Sequence, residues 1–250
     1  MVIESRSNER VKEARKLLLR KERKESGLHL IEGEKLVGEA VSSGARVVSC
    51  FLEQGFVFSP PENAVTHVVS RAVLESLCES QTPQGVVAVV ETPSLTPPER
   101  YPGGLVVTLD GVQDPGNVGT ILRSADAFGA SGVLLSPACA DVYAPKTLRA
   151  AMGSTYHLPV WQGELTEELV RMKQQGFFAL CGDLRGSETL PALTKNVSLV
   201  IGSEGSGVSA EVAALCAGYR LAMRGRAESL NASVAAGVLL YVVSGAMPRV

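Results

Sequence analysis

Three stretches of this 250-residue chain bring together side chains and backbone types that could do chemistry. The first, LDGVQDPGNVGTILRSADAFGA at 109–130, places Asn117 where a turn gives way to a helix, a position suited to an N-cap. Val118, Ile121, Ala125 and Phe128 share one helical face and Arg123 points away from it. That arginine is either an ordinary solvated side chain or one presented to an anion or a partner chain. The second stretch, IGSEGSGVS at 201–209, follows an apolar run and surrounds Glu204 with Gly202, Gly205 and Gly207. Residues this small let backbone donors and acceptors approach a ligand closely. A tight turn with a capping serine would use the same residues, but it leaves the carboxylate of Glu204 unexplained; a cationic ligand or an arginine would suit it. The third stretch, MRGRAESLNASVAAGVLLY at 223–241, sets Ser229 and Asn231 before a helix whose first turns are very small. Either residue can cap that helix. The small residues permit close approach to a loop, to a second subunit or to a tightly packed core.

Neither G-x-G-x-x-G nor G-x-x-x-x-G-K-[ST] occurs, which counts against a dinucleotide-type Rossmann site and a phosphate-cradling P-loop. G-x-S-x-G is absent too, so a nucleophile elbow has no support.

The elements that must position these stretches alternate strand and helix. Short apolar runs at Leu105–Leu109, Gly132–Leu135, Phe177–Cys181, Val197–Ile201 and Tyr219–Met223 predict strands of a parallel sheet covered on both faces. Helices fit Val118–Phe128, Lys146–Met152, Thr166–Gln175, Ala210–Cys216 and Leu230–Val243. Such a doubly wound α/β sheet binds ligands at the carboxyl ends of its strands. Ahead of it, TPSLTPPERYPGG is too rich in proline for helix or central strand, and we read residues 93–104 as a linker between a domain at 1–92 and a domain at 105–250. The first domain alternates as well, a small α/β layer fold without a catalytic constellation. It opens with an expected helix over Asn8–Lys24, where nine basic side chains stand against three acidic ones between Arg6 and Lys24. Arg6, Arg10, Arg15, Arg20 and Arg23 either form a solvated face or contact phosphates.

Composition narrows the classes. Hydrophobic residues make up 45% and charged residues 20%, enough for a buried core. Aromatics are 5%, so long base-stacking platforms are not expected. The formal net charge of −2 restricts any nucleic-acid binding to a local patch. No apolar run is long enough to span a membrane, and MVIESRSNER lacks the apolar centre of a secretory signal. Five scattered cysteines and three histidines argue against a metal site and for reduced thiols in the cytoplasm.

The three stretches, DPGNVGTILRSADAFG, GSEGSGVS and ESLNASVAAG, resemble the three signature motifs of the SpoU (TrmH-type) RNA 2′-O-ribose methyltransferases of the SPOUT superfamily, in the family's order. DVYAPKTLRAAMGSTYHLPV at 141–160 is similar to the family's segment between the first two motifs, and HLIEGEKLVGEA near the N-terminus to the substrate-binding domain of ribosomal RNA members. The resemblance implies a catalytic domain with a C-terminal deep trefoil knot, preceded by a small ribosomal-protein-like RNA-binding domain. It also implies S-adenosyl-L-methionine as cofactor, ribosomal RNA rather than transfer RNA as substrate, and a homodimer in which each site draws on both chains. Carried over by position, it assigns Asn117, Arg123, Glu204, Ser229 and Asn231 to the catalytic centre, and Gly182, Ile201, Gly202, Leu221 and Leu230 to the cofactor. The arginines of the first helix become RNA contacts. One departure is Leu221-Ala222-Met223, where the family has a proline in the middle. The family gives Arg123 the activating role. A guanidinium is an extremely weak acid, so it is better suited to stabilise an oxyanion or hold a phosphate than to act as base. Two other classes fit less well: a non-catalytic RNA-binding or assembly protein, against which every polar motif position is retained, and a Rossmann oxidoreductase, which lacks its glycine fingerprint.

Overall fold

A computed structural model describes residues 2–80 and 82–248. Its contacts divide the chain into one unit running up to Pro93 and including Asp141–Tyr156, and a second made of Ser94–Ala140 and the chain from His157 onward.

The first unit begins with α1 (Glu9–Lys16), capped by the Asn8 side chain, which accepts the amide of Arg10 at 3.0 Å. The single helix expected over Asn8–Lys24 is two helices, because Leu19 is extended and α2 (Arg20–Ser26) starts after it. Arg23 supplies the physical reason. Its guanidinium donates to the carbonyls of Leu17 and Leu18 at 2.7 and 2.9 Å, satisfying acceptors that a continuing helix would have bonded internally. The same group donates to Asp141 Oδ2 through Nη2 at 2.7 Å and Nε at 3.0 Å. Arg23 is 6% exposed, so its expected role as an RNA contact is corrected to that of a buried clamp. Breaking such a pair strands a buried charge, and we predict that Asp141→Ala lowers unfolding free energy by about 3–5 kcal/mol in urea titrations.

After β1 (Leu28–Glu32) come α3 (Glu34–Ser42), β2 (Val47–Glu53), β3 (Val65–Val69), α4 (Arg71–Glu75) and β4 (Val86–Glu91). The sheet order is β1-β4-β2-β3; β4 is antiparallel to both its neighbours and β3 is parallel to β2 at the edge. A core including Val11, Leu17, Phe51, Leu74 and Val87 packs within this unit. His29 is fully buried there, its Nδ1 3.0 Å from Thr92 Oγ1 and its Nε2 2.7 Å from Tyr156 Oη. Burial pushes its pKa down to about 3, so it bridges the two hydroxyls as a neutral ring.

The second unit contains β5 (Leu105–Asp110), α5 (Pro115–Ala127) and β6 (Gly132–Leu135). The chain then visits the first unit with α6 (Pro145–Ala151). It returns with β7 (Val160–Gln162), α7 (Leu165–Gln174), β8 (Phe178–Ser187), β9 (Val197–Gly202), α8 (Ala210–Ala213), β10 (Ala217–Tyr219) and α9 (Ala232–Ala246). All six strands are parallel, in the order β10-β8-β9-β5-β6-β7, the expected α/β class. Every residue of β6, and all but the last of β5 and of β9, is buried, which explains their unalternating apolar sequences. The last strand falls at Ala217–Tyr219 rather than at Tyr219–Met223, leaving 220–231 as an irregular loop.

Residues 94–104 are docked on the second unit rather than free. Gln162 donates its amide to the Leu95 carbonyl at 2.7 Å, Arg171 Nη2 reaches the Pro98 carbonyl at 2.6 Å, and the buried Tyr101 hydroxyl donates to Glu168 at 2.6 Å. Prolines make this segment stiff and extended, and neighbouring donors take up its carbonyls. The contact boundaries therefore differ from the expected ones here and at 141–156.

Candidate active site

Helix α5 starts one turn earlier than its apolar pattern suggested. Asp114, not Asn117, is the N-cap: its carboxylate accepts the Asn117 amide at 2.9 Å, and Pro115 occupies the first turn, where no amide donor is needed. The Asn117 side chain is thereby free to act elsewhere, and its Nδ2 donates to Glu204 Oε1 at 2.5 Å. This bond joins the first sequence motif to the second across 87 residues of chain.

The second motif leaves the end of β9 and folds straight back. Ser203 and Gly207 exchange both backbone hydrogen bonds at 3.0 Å, and Ser206 lies with its hydroxyl 2.8 Å from that of Ser203. A Cβ on Gly202 would fall inside the backbone of Gly207 and Val208, so only glycine allows the fold-back. Beyond it, the Ser209 amide donates to Asp110 Oδ2 at 2.7 Å, which anchors the loop to the end of β5.

Third-motif Asn231 caps α9. Its Oδ1 accepts the Ser233 amide at 2.9 Å, the Ser233 hydroxyl at 2.7 Å and the Val234 amide at 3.3 Å. Only its Nδ2 donors remain available. The helix then runs close to α5: a Cβ on Gly237 would meet Ser124 Oγ at 3.9 Å.

These loops enclose a cavity of about 480 Å³ at the carboxyl ends of the central strands. Gly182, Ile201, Gly202, Leu221 and Leu230, the five residues expected at the cofactor, all line it, as do Glu204 and Ser229. Asn117 connects to its rim through Glu204, and Asn231 through the cap of the helix whose Ala232 and Ala235 form part of the wall. Arg123 does not line the cavity; it is exposed on α5 and has no hydrogen-bond or ion-pair partner among the described residues. The reading of residues alone missed Asp183, Leu184 and Arg185 in the cavity wall. The Gly-Asp step after an apolar strand was the available signal. The backbone amide of Arg185, with its side chain, holds the Asp183 carboxyl below the usual range, so it is anionic here.

The donor set fits S-adenosylmethionine. Ile201, Leu221 and Leu239 offer apolar wall for an adenine ring, the exposed turn at 204–206 offers backbone donors and acceptors, and Asp183 and Glu204 supply negative charge for a cationic ligand. A Cβ on Gly182 would come within 2.8 Å of Leu239 Cδ1, so a side chain there would crowd the wall.

Residues 104–241 match the family model described as the SpoU rRNA methylase family. The chain belongs to that family. Residues 8–88 match an MRM3-like substrate-binding domain, the second half of the expected organisation. Among SpoU relatives, the 23S rRNA (guanosine(2553)-2′-O)-methyltransferase of Bacillus subtilis is 34% identical over 97% of this chain and 99% of its own. The AdoMet-bound rRNA methyltransferase of Sinorhizobium meliloti superposes with a TM-score of 0.85 at 30% identity, covering 96% of each chain. The SpoU methyltransferase AviRb of Streptomyces viridochromogenes, in complex with AdoMet, gives 0.83 at 30% identity over 95% of this chain and 97% of that one.

Proposed function

We propose that this protein methylates a ribose 2′-hydroxyl in ribosomal RNA, using S-adenosylmethionine. The observation that carries the reading is the cavity lined by the second and third motifs, with the first motif tied to its rim by the Asn117–Glu204 bond. The relative named for 23S rRNA and the substrate-binding domain match support ribosomal over transfer RNA.

When bound, S-adenosylmethionine supplies an electrophilic methyl group on a cationic sulfonium. The chain's own residues do the rest. Carboxylates of Asp183 and Glu204 favour the cation, and the apolar wall excludes water. The Glu204 carboxylate fixes the Asn117 amide, while the Nδ2 donors of Asn231 and the Ser229 hydroxyl orient the sugar. The guanidinium of Arg123 stabilises negative charge growing on the ribose oxygen as the 2′-hydroxyl proton passes to solvent, and it grips the adjacent phosphate.

The protein acts as a homodimer in this reading. Val234, Val238 and Tyr241 recur on one face of α9 at 52%, 41% and 69% exposure. A continuous apolar stripe of this kind suits a self-complementary interface. Pairing places residues of both chains at each cavity, and a trefoil knot through the loops after β9 makes the cofactor site rigid. The cytoplasm is the proposed compartment, following from ribosomal RNA as the proposed substrate. Val238→Asp puts a buried charge on both sides of the two-fold interface; light scattering should show the mass of one chain where the parent shows two.

The decisive assay supplies labelled S-adenosylmethionine and ribosomal RNA from a strain lacking the gene, followed by nuclease digestion. Label in a 2′-O-methyl nucleoside is expected. Label in a methylated base, or transfer only to transfer RNA, refutes the corresponding part of the reading.

A further inference from the structure

A second cavity, of about 370 Å³, lies wholly within the N-terminal unit, between α1, α2 and the sheet. Its floor is the face of β2 and β3 on which Phe51 and His67 are register partners, their rings 5.2 Å apart. On β3, Val69, His67 and Val65 share that face and run from fully buried, through 9%, to 58% exposed, so the groove opens outward at the sheet edge. Val48, at the irregularity in the β2–β4 register, adds a further apolar side. Above His67 stands Arg10, its Nη1 3.4 Å from the ring Nδ1. A guanidinium can only donate, so Nδ1 accepts and the ring proton sits on Nε2, a donor without a partner among the described residues. Burial and the neighbouring Arg10 lower the His67 pKa, which keeps the ring neutral and suitable for stacking.

An apolar slot with aromatic rings at its floor fits many occupants; the charge around it selects one. The groove's charged lining is Arg10, Glu13, Lys16 and Glu22, with Glu13 held by Lys16 at 2.7 Å. The segment 6–24 that carries them has nine basic side chains against three acidic, and on it exposed Arg15 and Arg20, outside the lining, have no partners among the described residues. A flat apolar group joined to an anionic backbone is an unstacked nucleotide. We propose that this groove receives a single splayed-out nucleotide of the RNA, its base against Phe51, His67, Val48 and Val65 and its phosphate on Arg10. The proposal rests on the reading that the protein acts on RNA and extends it to a second, non-catalytic subsite where the substrate is selected.

The test uses the full-length protein, an octaribonucleotide with one central 2-aminopurine, and its abasic counterpart. The parent should bind the aminopurine octamer about tenfold or more tightly than the abasic one, the scale of one base stack. Val65→Trp, at an exposed position, fills the mouth of the groove and should abolish that difference while leaving abasic affinity within about twofold. Val48→Phe provides a second filling, and thermal melts confirm that each variant is folded. Arg10→Gln should weaken both octamers alike. A 4-thiouridine at the same position should crosslink within segments 10–17 or 48–67. Equal affinities of the parent for the two octamers, or crosslinks confined to other segments, overturn the proposal. So does a change of oligomeric mass in Val65→Trp with octamer binding intact, which would make the groove an interface between copies. Methyl transfer to ribosomal RNA is read separately. Transfer with a KM unaffected by filling removes the groove alone; groove binding without transfer to any RNA removes the enzymatic reading alone.

Discussion

Arg123→Ala should lower methyl transfer by about 10³-fold while S-adenosylmethionine binds within about twofold of the parent affinity. The size follows from removing one preorganised charged donor to a developing oxyanion. The selectivity follows from position: Arg123 stands on α5, outside the cavity lining, and holds no partner among the described residues whose loss would disturb the fold. Calorimetry with the cofactor and single-turnover transfer to ribosomal RNA measure the two halves independently. Parallel loss of both would make Arg123 a structural residue. Arg123→Lys separates roles further, because a point charge keeps phosphate attraction but loses the planar fork, so it should recover affinity for RNA more than rate.

Gly202→Ala should weaken S-adenosylmethionine binding by about 10- to 100-fold while RNA binding by the N-terminal unit persists. The added methyl has no space, because the backbone of Gly207 and Val208 already occupies it. The loop must open, which breaks the paired Ser203–Gly207 hydrogen bonds and displaces Glu204 from Asn117. Overpacking at backbone with no alternative rotamer costs about 1–3 kcal/mol, enough for such a loss when it falls on the binding loop itself. Titrating cofactor by calorimetry and RNA by anisotropy gives the comparison. Retained cofactor affinity would show that the 203–207 loop is not part of the binding wall.

The α/β class was legible in residue order because it is a local property: strands buried on two faces must be continuously apolar, and loops at their carboxyl ends must be small and polar, as the Gly202–Gly207 loop is. Gly182, Ile201, Leu221 and Leu230 were reached only through the resemblance to the SpoU motifs, and the structure places all four in the cavity wall. Other features depended on partners distant in sequence. No local pattern distinguishes Arg23 from the exposed arginines around it; Asp141, 118 residues away, withdraws it from solvent and the carbonyls of Leu17 and Leu18 divide the helix there. The Pro-rich segment read as a spacer because proline excludes regular structure, yet Gln162, Arg171 and Glu168 bind it in place. Asn117 could have capped its helix until Asp114 took that role and Glu204 claimed its side chain. Periodicity and motif spacing register what a residue can do over one turn or one strand; which of several hydrogen-bond partners it keeps is settled only when the folded chain brings the competitors together.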